Sequence, residues 1–216
     1  MTTLSACVLS AYLLSACQGP QSALDPAGPS AEAIGAIWWW MLVGAALVWM
    51  LVAALAWHAM SRRRPSLRTA GGRRLIVIGG LLLPTLALMV LLAYSAASSE
   101  RITGHRQQVT HAVDVRARQW QWTFEYRDGI NGDILARSED ALLMPRGEWV
   151  EFRVHGEDVI HSFWIPRLGG KIDAIPGRIN TIRLRADQGG RISGQCAEFC
   201  GLDHAHMRFD VHVVEP

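Results

Sequence analysis

Between Gly194 and Met207 the chain reads GQCAEFCGLDHAHM, which brings two cysteines, two histidines and a methionine together as Cys196, Cys200, His204, His206 and Met207. Two cysteines in an oxidising compartment ordinarily join as a disulfide, and the flanking Gly194 and Gly201 leave room for one. A structural disulfide has no use for His204 and Met207, however. Zinc sites draw on cysteine, histidine and carboxylate, so the thioether of Met207 argues against zinc. Thiolate, imidazole and thioether together are the donor set that copper favours. A blue-copper electron carrier needs one cysteine; the second points to two metal ions bridged by two thiolates. Such a pair requires a further imidazole, and the candidate is His161 in GEDVIHSFWIP.

Donors spread over forty-odd residues need a stiff scaffold. Val109, His111, Val113 and Val115 fall on one face of an alternating pattern, followed by Trp120, Trp122, Phe124 and Tyr126. Val150, Phe152 and Val154 alternate too, as do Ile182 with Leu184, and Phe209, Val211 and Val213. Short period-two segments separated by Gly, Asp, Asn and Pro predict an antiparallel all-β sandwich or barrel over residues 100–216. A phase slip between Ala117 and Trp120 predicts a bulge.

The first hundred residues have a different character. Ile37–Trp57 and Leu75–Ser99 contain no charged side chain, and crossing a hydrocarbon core takes about 20 apolar residues. Between them SRRRPSLRTAGGRR carries Arg62, Arg63, Arg64, Arg68, Arg73 and Arg74 and no acid. Short arginine-rich loops stay on the cytoplasmic side. A transmembrane hairpin is therefore expected over 36–99, with spans at about 37–59 and 75–97 and a cytoplasmic loop at 61–74; residues 100–216 then lie outside. That outer part holds 17 acidic and 15 basic residues, so the chain's net +2 resides in the loop, and a mildly acidic domain excludes nucleic acid as partner. Residues 1–16 are apolar but too short to span, as in a signal peptide. Leu14-Ser15-Ala16-Cys17 resembles a bacterial lipoprotein processing site, which makes Cys17 the lipidation candidate; Leu4-Ser5-Ala6-Cys7 repeats the tetrapeptide, and no Lys or Arg opens the segment. Residues 17–35, rich in Gly, Pro and Ser, predict a flexible tether.

With DVIHSFWIP, KIDAIPGR and GQCAEFCGLDHAHM following two apolar spans, the chain resembles cytochrome c oxidase subunit II of the copper-containing type. The resemblance implies a cupredoxin-like outer domain with two copper ions. Cys196 and Cys200 would bridge both coppers. His161 and His204 would each bind one, Met207 would bind one, and the backbone carbonyl of Glu198 the other. The Glu198 side chain would hold a magnesium or manganese ion at the interface with subunit I, with Asp173 nearby. Trp120 would be the point at which an electron enters from cytochrome c, and Asp158 matches an acidic residue near the copper. The implied assembly includes subunits I and III, cytochrome c and lipid. The implied location is the bacterial inner membrane, with the copper domain on the periplasmic side. The work would be electron input for oxygen reduction with proton pumping, the oxygen chemistry belonging to subunit I.

His206 departs from the ligand spacing and reads as a neighbour; His111, His155 and His212 read as strand histidines, and His58 as an interfacial residue. Trp38, Trp39, Trp40 and Trp57 read as interfacial anchors. Asp128, Glu139 and Asp140 are solvated-face residues or part of an acidic docking patch. Many subunits II carry a glutamate early in the second helix, where this chain has RRLIVIGG, and no Cys-x-x-Cys-His occurs. The competing reading is a structural quinol-oxidase-type subunit II without functional copper; the complete donor set argues against it.

Overall fold

The computed structural model describes residues 19–61 and 69–215, without the side chains of Thr69 and Ala70. The expected signal peptide, Cys17 and residues 62–68 of the arginine loop lie outside the described residues. The chain divides into two compact units, one of Ala36–Ser99 and one combining residues up to Gly35 with Glu100–Pro216.

The first unit is helical. Helix α1 runs over Pro29–Ser61 and α2 over Gly71–Thr103, with mean hydropathies of 2.1 and 2.7 in their apolar windows. A π-helical turn, Ile78–Leu82, interrupts α2 at the Gly79-Gly80 pair. Their large side chains, Trp40, Trp49, Leu86 and Leu92 among them, are exposed all round. An apolar surface of that extent is at home in hydrocarbon, and the two helices form a transmembrane hairpin that anchors the protein. Both begin or end beyond the expected spans, because α1 starts at Pro29, a favoured first helical residue, and the second helix continues through Thr103.

The second unit is a sandwich of two five-stranded sheets. Its strands are β1 (His111–Arg118), β2 (Gln121–Arg127), β3 (Ile134–Glu139), β4 (Ala141–Pro145), β5 (Trp149–Gly156), β6 (His161–Trp164), β7 (Ile172–Ala174), β8 (Ile179–Arg185), β9 (Gly190–Cys196) and β10 (Arg208–Val214). One sheet has the order β3-β2-β1-β5-β8 and the other β4-β10-β9-β6-β7. The fold is the two-sheet β-sandwich expected, with one difference: β1 pairs with β5, and β10 with β4, in parallel. Period-two patterning fixes which face is buried but says nothing of strand direction, so the purely antiparallel expectation is corrected. The phase slip at Ala117–Trp120 is also explained differently. Arg118 pairs directly with Gln121, so Gln119 and Trp120 form a two-residue hairpin tip, while the ladder irregularity falls at Tyr126/Arg127.

The inner faces meet in an aromatic cluster. Trp122, Phe124, Phe152 and Phe163 are fully buried, and Phe209 stacks on Phe163 with centroids 5.3 Å apart and planes within 7°. Trp122 lies edge-on to Phe209 at 5.5 Å and to the His161 ring at 6.3 Å. The aromatic core is thus the floor of the region where the candidate donors gather.

Residues 19–31 are not a free tether. Ala27 donates to the Arg167 carbonyl at 2.7 Å and accepts from the Asp187 N–H at 2.7 Å; Ser193 N–H donates to the Pro20 carbonyl at 3.1 Å, and Ala31 N–H to that of Leu168 at 3.1 Å. Arg167 reaches back to the Asp25 carbonyl at 2.6 Å, while Ala27, Ser30 and Ala31 are buried. Composition alone predicts mobility here; small residues also let a backbone lie flush against a sheet edge, and the backbone hydrogen bonds decide between the two. Gly28 shows how flush: a Cβ there would sit 2.0 Å from the Arg185 carbonyl oxygen.

The outer face of the β1-containing sheet carries buried charge. Asp114, Glu125 and Glu151 are nearly inaccessible beneath Arg127, Arg116 with Arg137, and Arg183 with Arg153. His155 lies among them, its Nε2 4.0 Å from Asp114 Oδ1. Burial lowers the His155 pKa, the Asp114 and Glu125 charges oppose that shift, and the Arg116 and Arg127 charges add to it. The fold therefore binds fewer protons at this ring than the unfolded chain, whose histidine titrates at about 6.5. The stabilisation is complete above that value and lost as pH falls through the lower folded value. A His155→Gln chain is expected to show a flatter fall in urea midpoint from about pH 7 to pH 5 than the parent; an identical fall would remove His155 from the account.

Candidate metal centre

Strand pairing sets the geometry of the site. His161 opens β6, and the β6–β9 register places Phe163 opposite Cys196. Ala197 N–H donates to the Ser162 carbonyl at 2.9 Å, and Cys196 N–H to that of Met207 at 2.9 Å. The loop between β9 and β10 is therefore pinned at both ends beside His161. Inside it, His204 N–H donates to the Gly201 carbonyl at 3.2 Å and Met207 N–H to that of His204 at 3.3 Å, closing a short 3-10 turn.

All the expected donors converge. The thiols are free, with sulfurs 3.8 Å apart against about 2.05 Å in a disulfide. Cys196 Sγ is 3.9 Å from His161 Nδ1 and 3.2 Å from the Glu198 carbonyl oxygen. Cys200 Sγ is 3.5 Å from His204 Nδ1 and 3.7 Å from Met207 Sδ. The donor atoms of His161, Cys196 and Cys200 all lie within 4.8 Å of one another, and all three residues are buried. Met207 is buried too.

The electrostatics of the pair are unequal. Burial pushes the Cys196 thiol up, but hydrogen bonds from His161, from the backbone at Glu198 and Ser162, and from His204 outweigh it and bring it to about 6. Burial, and then the negative charge on Cys196, push Cys200 up to about 12. Burial disfavours a charged His161, yet its bonds to Cys196 and Asp158 prevail and raise its pKa. Loss of a proton is thus eased at Cys196 and opposed at Cys200, and a cation bound by both sulfurs must displace the protons they carry.

Asp158 holds the far side of His161. Its Oδ1 lies 2.8 Å from His161 Nε2 and accepts from Val159 N–H at 2.6 Å, while Oδ2 accepts from Gln119 N–H at 2.7 Å. A carboxylate on the second ring nitrogen is the usual way to orient a metal-binding imidazole. The sequence marked Asp158 as an acid near the site; its three bonds become visible only once Gln119 is brought across from another loop.

Glu198 turns its exposed side chain away from the sulfurs. Lys171 Nζ stands 2.8 Å from Asp173 Oδ1 and 3.6 Å from Glu198 Oε2, and its hydrogen bond holds Asp173 below the usual carboxylate range. Trp120 stands at the hairpin tip, 37% exposed, beside the loop: a Cβ on Gly201 would meet its ring at 3.2 Å. His206 is not among the converging donors; it is exposed and pairs with Asp203 at 2.7 Å. Gln119 carries no local mark in the sequence; its bonds to Asp158 and to the Cys200 carbonyl exist only in the fold.

Residues 131–214 match the family model described as cytochrome C oxidase subunit II, periplasmic domain. Over this stretch the chain belongs to the cytochrome c oxidase subunit II family. It is 32% identical to cytochrome c oxidase subunit 2 of Alkalihalophilus pseudofirmus, over 94% of this chain and 61% of that protein. It is 34% identical to a probable cytochrome c oxidase subunit 2 of Rickettsia bellii, over 60% of this chain and 55% of that protein. The crystal structure of the periplasmic domain of subunit II of cytochrome oxidase of Bradyrhizobium japonicum is 33% identical, covering 50% of this chain and 86% of that one, with a TM-score of 0.46. The matched stretches span 47% to 62% of the length of the curated relatives.

Proposed function

We propose that this chain is the electron-input subunit of a cytochrome c oxidase, accepting electrons from a cytochrome c at a dinuclear copper centre and passing them to haem in subunit I. The observation that carries the reading is the convergence of two unpaired buried thiols, two imidazoles, a thioether and a backbone carbonyl within contact distance. The donor set fits copper: it is soft, largely buried, and dominated by sulfur and imidazole. His161, Cys196, Glu198 through its carbonyl, Cys200, His204 and Met207 would hold two copper ions. When bound, that pair supplies a one-electron carrier in which the charge is shared between two ions. The chain's own contribution is stiffness. The aromatic floor, the pinned loop ends and the Asp158–His161 bond keep the donors in one arrangement, so little must move when charge arrives.

Trp120, exposed and beside Gly201, is the residue through which a docked donor would reach the site. Glu198 would bind magnesium or manganese at the subunit I interface with Asp173 nearby; Lys171, which bridges these carboxylates here, would have to give way. The partners are then subunits I and III, cytochrome c and lipid. The setting is the bacterial inner membrane with the copper domain in the periplasm, Cys17 serving as a lipid anchor. Oxygen reduction and proton pumping would belong to the assembled oxidase.

The test is an electron paramagnetic resonance spectrum of the full chain in detergent after loading with copper. One electron shared equally by two copper nuclei gives a seven-line hyperfine pattern. A four-line spectrum, meaning a single copper, would overturn the proposal.

A further inference from the structure

The hairpin tip between β1 and β2 is made of Gln119 and Trp120 alone, since Arg118 and Gln121 already pair. Two-residue hairpin loops favour Asn-Gly, Asp-Gly or Gly-containing pairs, and Gln-Trp has none of that preference. What holds this tip must come from elsewhere in the fold, and Gln119 supplies it twice. Its backbone N–H donates to Asp158 Oδ2 at 2.7 Å, and the other oxygen of that carboxylate meets His161. Its side-chain Nε2 donates to the Cys200 carbonyl at 2.7 Å.

The next residue along that loop, Gly201, has φ of 122° and no room for a side chain: a Cβ would lie 2.9 Å from Gln119 Nε2 and 3.2 Å from the Trp120 ring. A glycine is needed here on both counts. One residue thus touches the support of a histidine donor on one loop and the backbone of a cysteine donor on another, while its neighbour presents the exposed indole.

We propose that Gln119 is a positioning residue for the metal centre, its side-chain amide holding the Cys200 carbonyl so that the Trp120 tip, the thiolate loop and the anchor of His161 move as one piece. For its consequences at a loaded site this rests on the dinuclear-copper reading; the clamp itself does not. The direction of the bond explains the choice of residue. The carbonyl accepts, so the side chain must donate, and it must be long enough to reach from the hairpin tip across to the loop. A glutamine meets both needs without placing a charge beside Asp158.

The experiment compares the full chain in detergent with Gln119→Met, which keeps length but has no donor, and Gln119→Ala, which removes both. In the metal-free chains the readout is amide hydrogen exchange at His204, whose N–H bonds to the Gly201 carbonyl inside the loop. Loss of one hydrogen bond predicts about fivefold faster exchange there in both variants, with exchange in β2 and β5 unchanged. In the copper-loaded chains both variants are expected to give up copper to a chelator about fivefold faster and to show altered hyperfine spacing.

Should Gln119→Met match the parent in His204 exchange, the residue is mere filling and the proposal fails. Uniform acceleration across the sandwich would also overturn it, as general loosening. If the parent itself takes up one copper or none, the functional reading fails, and the exchange comparison alone decides on the clamp.

Discussion

A chain carrying Cys200→Ser is expected to bind no more than one copper and to lose the shared-electron spectrum entirely. Cys200 is one of two hubs of the donor set: its sulfur contacts Cys196, His204 and Met207 at 3.8, 3.5 and 3.7 Å, as Cys196 meets His161, the Glu198 carbonyl and Cys200. A serine hydroxyl is nearly the same shape but cannot act as a thiolate, so the change removes the sulfur that would bridge two coppers without emptying the pocket. The residue is buried, so the new hydroxyl costs about 1 to 3 kcal/mol of stability where it finds no partner, which the urea midpoint of the metal-free variant measures separately. Copper per chain by atomic absorption and the number of hyperfine lines are the measurements. Retention of two coppers with an intact seven-line pattern would show that Cys200 does not bridge, and the assignment of the loop would have to be redrawn.

The same residues show what could be read from the chain alone. The donor set was legible because its chemistry is carried by rare residue types at close spacing, and because thioether and second cysteine each excluded an alternative. The sandwich was legible because alternation records which side faces the core: Val113, Val115, Phe124, Phe152 and Val154 are all buried. Strand direction was not, since a parallel β1–β5 pair and an antiparallel one share a pattern. The binding of residues 19–31 to the sandwich was hidden for a different reason. Most of its hydrogen bonds to the sandwich use backbone groups, those of Pro20, Asp25, Ala27 and Ala31, which leave no mark in side-chain composition. Gln119 escaped because its two partners lie 39 and 81 residues away in sequence, so nothing local distinguishes it from a solvated glutamine.

Gly194→Ala is expected to cost the outer domain about 3 kcal/mol, at the upper end of what overpacking a core exacts. Gly194 faces Phe209 across the β9–β10 ladder, and the Phe209 ring lies directly over it. A Cβ at Gly194 would fall 2.0, 2.4 and 2.6 Å from three carbons of that ring. The ring cannot simply slide away. It is stacked on Phe163, tilted against Phe124 at 5.2 Å and edge-on to Trp122 at 5.5 Å, all of them fully buried. Relief must come from the backbone of β9, two residues before Cys196, so the damage should reach the donors: faster copper loss is expected together with a lower urea midpoint followed by tryptophan fluorescence. The double variant Gly194→Ala with Phe209→Leu separates the causes. If the clash with the ring is responsible, the shorter side chain removes it, and the pair should lose at least 1 kcal/mol less than the two single losses added together. Strict additivity would mean that the glycine serves β9 in some way other than admitting Phe209, and the aromatic floor would then have to be dropped as the reason the donors keep their places.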